Sequence, residues 1–216
     1  MNDEKAFIIA VSSGEGISEL FLELGADAVI PSADAAEVSS DDFLAAALKS
    51  NSSRVLLLPN DKAAYQKAKA AAGLCEGIQM SVLPTTSFAQ GYAALAAMPR
   101  DAEFSELYDS ALDAISAVNS IDIVCEAYDG FFERYSAASS GNICSLAGSA
   151  EAALLESLEQ IFISDRHRII TLIVGRGVTN SRRVFVTERL GELYPDVQII
   201  VYIGGQTASE YYVALR

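Results

Sequence analysis

The 216-residue chain predicts an α/β protein of two lobes: a parallel open sheet with helices on both faces, then a mixed-sheet α/β lobe. Three observations predict it. Before Pro99, short apolar runs alternate four times with helical periodicity, the pattern of doubly wound βα units. Pro99-Arg100-Asp101 then breaks the pattern, and strand alternation, turn signals and a Gly-Gly bend follow it. Finally, 51% apolar and 20% charged residues describe a packed chain, long enough to bury a core in one large domain or two small lobes.

The elements follow in order. Ala6 to Val11 is an apolar strand ended by Ser12-Ser13-Gly14. Ile17, Leu20, Phe21 and Leu24 recur at helical spacing, and Gly25 closes that helix. Ala28-Val29-Ile30 stops at Pro31, and Ser40 and Asp41 can cap a helix carrying Phe43, Leu44, Ala47 and Leu48. Val55 to Leu58 is apolar on both faces, as a buried parallel strand requires. Asp61 opens an Ala-rich helix from Lys62 to Leu74, Ile78 to Leu83 is a strand, and Ser87 caps a helix through Met98. Residues 1–99 thus form the first lobe. A helix within 100–119, with Phe104, Leu107, Leu112, Ile115 and Val118, connects it to a second lobe over 120–216. There Ile121 to Tyr128 alternates as a strand, Asp129-Gly130 is a turn signal, and Phe131 to Ser149 has weak strand propensity. Ala150 to Phe162 and Arg182 to Leu193 read as helices, and Ile169 to Val174 and Val197 to Ile203 as strands. Gly204-Gly205 leads to a last strand, Glu210 to Leu215, expected to run antiparallel in a hairpin-like pair.

Charge and composition exclude several functions. Twenty-nine acids against fifteen bases leave −14, which opposes a nonspecific grip on nucleic acid. Residues 1–118 carry 17 acids and 7 bases, and residues 119–216 carry 12 and 8, so the first lobe is the more acidic. No apolar run approaches the length of a membrane span, and no basic, cleavable leader opens the sequence. Cys75, Cys125 and Cys144 are widely spaced without a CxxC pair, which suits a reducing, cytoplasmic setting and offers no zinc site. His167 is the only histidine. It sits between two arginines with Asp165 as its one nearby carboxylate, so a solvated residue at a strand entrance is expected rather than a catalytic base. Neither a catalytic residue, a metal site nor a cofactor is assigned.

Three loops fall at the carboxyl edge of the first sheet, where α/β proteins bind ligands. Ser13 leads into Gly14, Glu15 and Gly16 at a helix start, a place for an anion, but the third glycine of a dinucleotide fingerprint is Glu19 and Glu15 repels phosphate. A structural turn explains the same residues. Asn60 and Asp61 follow the third strand, where either can cap the next helix; Thr85, Thr86 and Ser87 follow the fourth, of which one is needed as a cap. Gln90 and Gly91 lie in the first helical turn, and a glycine there suggests close packing against another backbone. Glu15 and Asp61 are the available paired carboxylates. In the second lobe, Arg176, Arg182 and Arg183 form the one local basic feature, near a helix start that Asn180 or Ser181 would cap; a solvated face or a partner-facing patch fits them. Gly204, Gly205 and Gln206 with Tyr211-Tyr212 read as a bend with aromatic packing, or as an exposed tyrosine pair at an interface.

The order and wording of VSSGEGISELFLELGADAVI, VLLLPNDKAAYQKAKAAA, VLPTTSFAQGYAALAAM and LYPDVQIIVYIGGQTASEYYVAL resemble one family. It is the C-terminal domain of the ATP-binding, dihydroxyacetone-kinase-like subunit of bacterial fatty acid kinase. The signature pieces are Gly14-Glu15-Gly16, Leu58-Pro59-Asn60, Pro84-Thr85 with Gln90-Gly91, and Gly204-Gly205-Gln206; the likeness is weakest from Tyr128 to Ser149. The resemblance implies a two-lobed DegV-like fold and a cytoplasmic, bacterial setting in lipid metabolism. It implies too that the Mg-dependent kinase chemistry, with its aspartate cluster, belongs to a separate helical domain, and a Cys/His zinc site to a middle domain. The sequence is then expected to be a fragment of a longer subunit, with Met1 an expression start. Its partner would be the acyl-carrying, DegV-like subunit, presenting basic surface to this acidic chain, with a homodimer formed through the full-length subunit. Fatty-acid-binding relatives carry Thr-Asp-Ser after the first strand to hold the carboxylate. Here Ser12 to Gly16 stands instead, with Glu15 where that carboxylate would sit, which argues for docking rather than acyl binding. The alternative is a small-ligand-binding or enzymatic domain that uses the Gly14, Asn60 and Thr85 edge.

Overall fold

A computed structural model describes residues 5–99, 101–128 and 133–216. Contacts divide the chain into two units, residues 1–117 and 118–216. The Asp129-Gly130 turn signal and the expected start at Met1 lie outside the described residues.

The first unit contains β1 (Phe7–Ser12), α1 (Glu15–Glu23), β2 (Ala28–Pro31), α2 (Ser40–Lys49), β3 (Arg54–Leu58), α3 (Lys62–Leu74), β4 (Gln79–Val82), α4 (Phe88–Ala97) and α5 (Phe104–Ala117). Its strands are all parallel, in the order β2-β1-β3-β4. Val55 to Leu58 are all fully buried, as expected of a strand covered on both sides. Ile9, Val11, Val55 and Leu57 meet α2 through Phe43 and Ala47, and α3 through Ala64, Ala68 and Ala71. The alanine stripe at i, i+4 and i+7 lets α3 lie close to the sheet. Among the helices, Phe21 of α1 stacks on Phe88 of α4, ring centroids 5.6 Å apart. The helix expected to link the lobes packs on α4 within this unit.

Caps set the helix starts. Asp61 and Ser87 cap α3 and α4 by accepting backbone N–H groups. For α2 the cap lies one residue earlier than Ser40: Ser39 and Asp42 form a reciprocal capping box, a better solution because two orphan N–H groups are satisfied at once. Gly25 follows the end of α1 at φ 109°, in the left-handed region where glycine carries no Cβ penalty.

The second unit contains β5 (Asn119–Tyr128), β6 (Glu133–Ser139), β7 (Asn142–Ala147), α6 (Ala150–Ile161), β8 (Ile169–Val174), α7 (Asn180–Leu193), β9 (Gln198–Ile203) and β10 (Tyr211–Leu215). The sheet is mixed, ordered β7-β6-β5-β10-β8-β9. The expected pairing of the last two strands is corrected: β10 inserts between β5 and β8, antiparallel to both, while β9 pairs parallel with β8. Both N–H groups of Gly204 and Gly205 donate to the Val174 carbonyl, turning the chain over the end of β8 so that β9 and β10 lie on opposite sides of it. The stretch of weak strand propensity forms the hairpin β6-β7, turned by Ser140 and Gly141 at φ 53° and 83°. A core on one face joins Ile121, Ile123, Ile170, Leu172, Tyr211 and Val213 of the sheet to Leu154 and Leu158 of α6 and to Val186 and Leu190 of α7.

Candidate functional site

In the first unit the chain leaves β1 toward β2 and returns across it to β3. The carboxyl ends of β1 and β3 therefore flank a topological switch point, the ordinary ligand crevice of an open α/β sheet. Gly14 stands at one side of it and Asn60 at the other. Gly14 is the N-cap of α1 in extended conformation (φ −168°), with no side chain to satisfy the first N–H groups. Glu15 follows in the first turn, where a carboxylate already complements the helix dipole. Beneath this turn, the Ser12 and Ser18 hydroxyls bond each other at 2.5 Å, and Ser18 Oγ also donates to the Gly14 carbonyl. Gly16 lies within α1 itself.

Asn60 is the hub of the crevice. It holds φ 61°, a left-handed conformation that asparagine tolerates better than most residues. Its backbone N–H donates to Thr85 Oγ1 at 3.1 Å, and its Nδ2 donates to the Val11 carbonyl at 2.8 Å. Its Oδ1 lies over Gly91: a Cβ placed there would stand 2.1 Å from it. The close approach inferred for Gly91 is thus to the Asn60 side chain and not to backbone. Asn60 ties the end of β1 to the β4–α4 loop and to α4, while Asp61 alone caps α3. One atom stays unanswered, since Asn60 Oδ1 is buried without a hydrogen-bond partner.

The three hydroxyls of the β4–α4 loop are all engaged, not one as expected. Thr85, fully buried, receives Asn60; Thr86 donates through both N–H and Oγ1 to Gln90 Oε1, at 2.7 and 3.0 Å; Ser87 caps α4. Asp61 Oδ1 accepts two backbone N–H groups, so it serves the helix start rather than a carboxylate pair with Glu15.

The second unit holds a polar network that the sequence reading missed. Glu151, in the first turn of α6, accepts from Arg182 Nε at 2.7 Å and from Tyr211 Oη at 2.8 Å. Arg182 Nη1 faces Glu210 Oε2 at 3.1 Å, an ion pair without hydrogen-bond alignment. Arg182, set unfavourably at the positive end of α7, thus finds its acidic partners within the chain. Burial would lower the Arg182 pKa, but the Glu151 and Glu210 carboxylates outweigh it and raise it; burial, then Glu151, raises the Tyr211 phenol. An arginine in a first turn lacking acids was the available signal. The α7 cap is Thr179, not Asn180 or Ser181.

Around this network the chain is tight. A Cβ on Gly175 would lie 2.3 Å from the Ser209 carbonyl, and one on Gly177 would lie 2.9 Å from Glu210 Oε1. Arg176 is exposed and its N–H donates to the Gln206 carbonyl. Gln206 is fully buried, its Nε2 donating to the Ile173 carbonyl at 3.1 Å and its Oε1 unpartnered. Gly205 holds φ 73° between Gly204 and Gln206. Tyr211 is fully buried, which removes the exposed tyrosine pair.

His167 is corrected as well. It is fully buried, with Nδ1 accepting the Ile163 N–H and Nε2 facing Asn119 Oδ1, each at 3.0 Å. Burial, aided by the neighbouring Arg166 charge, lowers its pKa. Among the described residues, no three His, Cys, Asp or Glu side chains are grouped to hold a metal, and no helix is long and apolar enough to cross a membrane.

Residues 7–216 match the model of the FakA-like C-terminal family, the C-terminal domain of the A-type subunits of fatty acid kinase. An uncharacterized protein of Staphylococcus aureus strain MRSA252 is 26% identical over 230 residues, covering 100% of this chain and 40% of that protein. The chain therefore spans about 40% of the length of the curated relatives it matches. Among solved structures, a DegV family protein from Corynebacterium glutamicum superposes with TM-score 0.71 at 18% identity, covering 100% of this chain and 97% of that one. The Streptococcus pneumoniae fatty acid kinase B3 protein, loaded with linoleic acid, superposes at 0.64 with 10% identity, covering 98% and 99%. These likenesses are of fold, and the match to the family model assigns the chain: it belongs to the FakA-like C-terminal domains of the fatty acid kinase family.

Proposed function

We propose that this domain is a non-catalytic docking module. It binds the acyl-carrying, DegV-like subunit so that the bound fatty acid reaches a kinase domain that is not part of this chain. The observation that supports this reading is the filled crevice. Where a fatty-acid-binding relative would hold a carboxylate, Asn60 bridges Val11 to Thr85 and Glu15 supplies a negative charge of its own. A second carboxylate brought to that helix start would meet repulsion rather than an open anion site. Membership of the fatty acid kinase family and net charge −14 support a protein partner with basic surface. Isothermal titration against palmitate, ATP and the acyl-binding protein encoded in the same genome tests it. Heat is expected only with the protein, and saturable binding of palmitate or ATP to the isolated chain defeats the reading.

One observation favours a second reading, a small-ligand site at the same edge. Asn60 Oδ1 is a buried acceptor awaiting a donor, so such a ligand would present an N–H or O–H group there. The same titration separates the two.

A further inference from the structure

The opposite edge of the first sheet carries a different feature. A cavity of about 220 Å³ opens where β1 begins and α1 ends, lined by Ile8, Leu22, Leu24, Leu95, Met98 and Leu107. Ile8, Leu95 and Leu107 form a buried floor, while Leu22 stands 48% exposed at the mouth. A half-exposed leucine beside an apolar hollow is surface that water covers at a cost. The volume falls below the roughly 300–1,000 Å³ of pockets that enclose drug-sized ligands, and suits one inserted side chain better.

Charge around the mouth is one-sided. The segments that supply its walls carry Glu19, Glu23 and Asp27 on one side and Asp101, Glu103 and Glu106 on the other. Against these six acids stand Lys5, which lines the cavity, and Arg100, outside the described residues. Asp27 is partly engaged, since its Oδ2 accepts the Ile8 N–H at 2.8 Å. Glu15, Glu19 and Glu23 are spaced i, i+4 and i+8 along α1, a like-charge ladder that weakens a helix by itself. A cationic surface laid across α1 would remove that repulsion as it covered Leu22.

We propose that this cleft is a docking socket for a protein partner whose surface presents an apolar side chain ringed by lysine or arginine. The proposal rests on the docking reading and adds the place where docking occurs. The apolar anchor fills the hollow and displaces water from Leu22, while the surrounding bases meet the acidic rim. Apolar anchor and charged rim do different work: the first sets residence time, the second the association rate and its salt dependence.

The test titrates the acyl-binding protein of the same genome into the 216-residue chain, into Leu22→Asn, and into the double variant Glu19→Lys with Asp101→Lys. All three changed side chains are exposed, and circular dichroism checks each fold. Leu22→Asn is expected to weaken binding about tenfold or more, as loss of an interface anchor does. The charge reversal is expected to weaken binding and flatten its dependence on NaCl. If the unaltered chain binds and both variants bind equally well, the socket is refuted while the docking reading stands. If the unaltered chain does not bind, both fall. Tighter binding by the reversed variant would mean an acidic partner and would overturn the proposal. So would saturable binding of octanoate that Leu22→Asn abolishes, since the cleft would then be a small-ligand site.

Discussion

Asn60 and Gly91 depend on each other. With Oδ1 where a Cβ would come within 2.1 Å, Gly91→Ala must push Asn60 off Val11 or shift α4. The expected cost is about 1–3 kcal/mol, the usual range for overpacking. Asn60→Gly keeps the positive φ and removes the obstructing group, so Gly91→Ala should cost much less in that background. Urea denaturation of the two single variants and the double gives the coupling directly, and additive costs would show that the two residues do not touch. Neither role was legible beforehand. Asparagine after a strand and glycine in a first turn each have sufficient local explanations, and only the fold brings positions 60, 85 and 91 together.

At the scale of elements, local chemistry was readable and pairing was not. Asp61 and Ser87 were recognisable caps because a short acceptor before a helical period has one job. The place of β10 could not be read, because strand order depends on which edge a bend carries the chain to, and Gly204-Gly205 permits either. The cluster joining α6, α7 and β10 was hidden for the same reason: Glu151, Arg182, Glu210 and Tyr211 meet only after β10 inserts. Glu151 is its keystone, taking two donors on one carboxylate oxygen. Glu151→Ala should destabilise the chain by about 2 kcal/mol, the scale of losing hydrogen bonds to a charged group and leaving the donors unanswered. Arg182→Met should cost less, since it removes the buried cation rather than stranding it. Denaturation midpoints rank the two, and the reverse order would show that Glu151 is not the centre of the cluster.

For the molecule as a whole, one histidine makes the neutral-to-acid window simple to interpret. Most carboxylates titrate well below pH 5.5, and Asp42, lowered mainly by its Ser39 hydrogen bonds, titrates lower still. Between pH 7.5 and 5.5 the change in stability should therefore come chiefly from His167. The folded chain keeps that ring neutral, because its Nδ1 lone pair holds the Ile163 N–H and burial disfavours charge. The unfolded chain takes up a proton as pH falls through the ordinary histidine value near 6.5. The stabilisation is complete above that value and drains away as pH falls toward the lowered folded value. A single proton sets the limit, at most about 1.4 kcal/mol per pH unit. Urea midpoints should fall from pH 7.5 to 5.5 in the unaltered chain and stay nearly level in His167→Gln. An equal decline in both would move the acid sensitivity from this ring to the carboxylates.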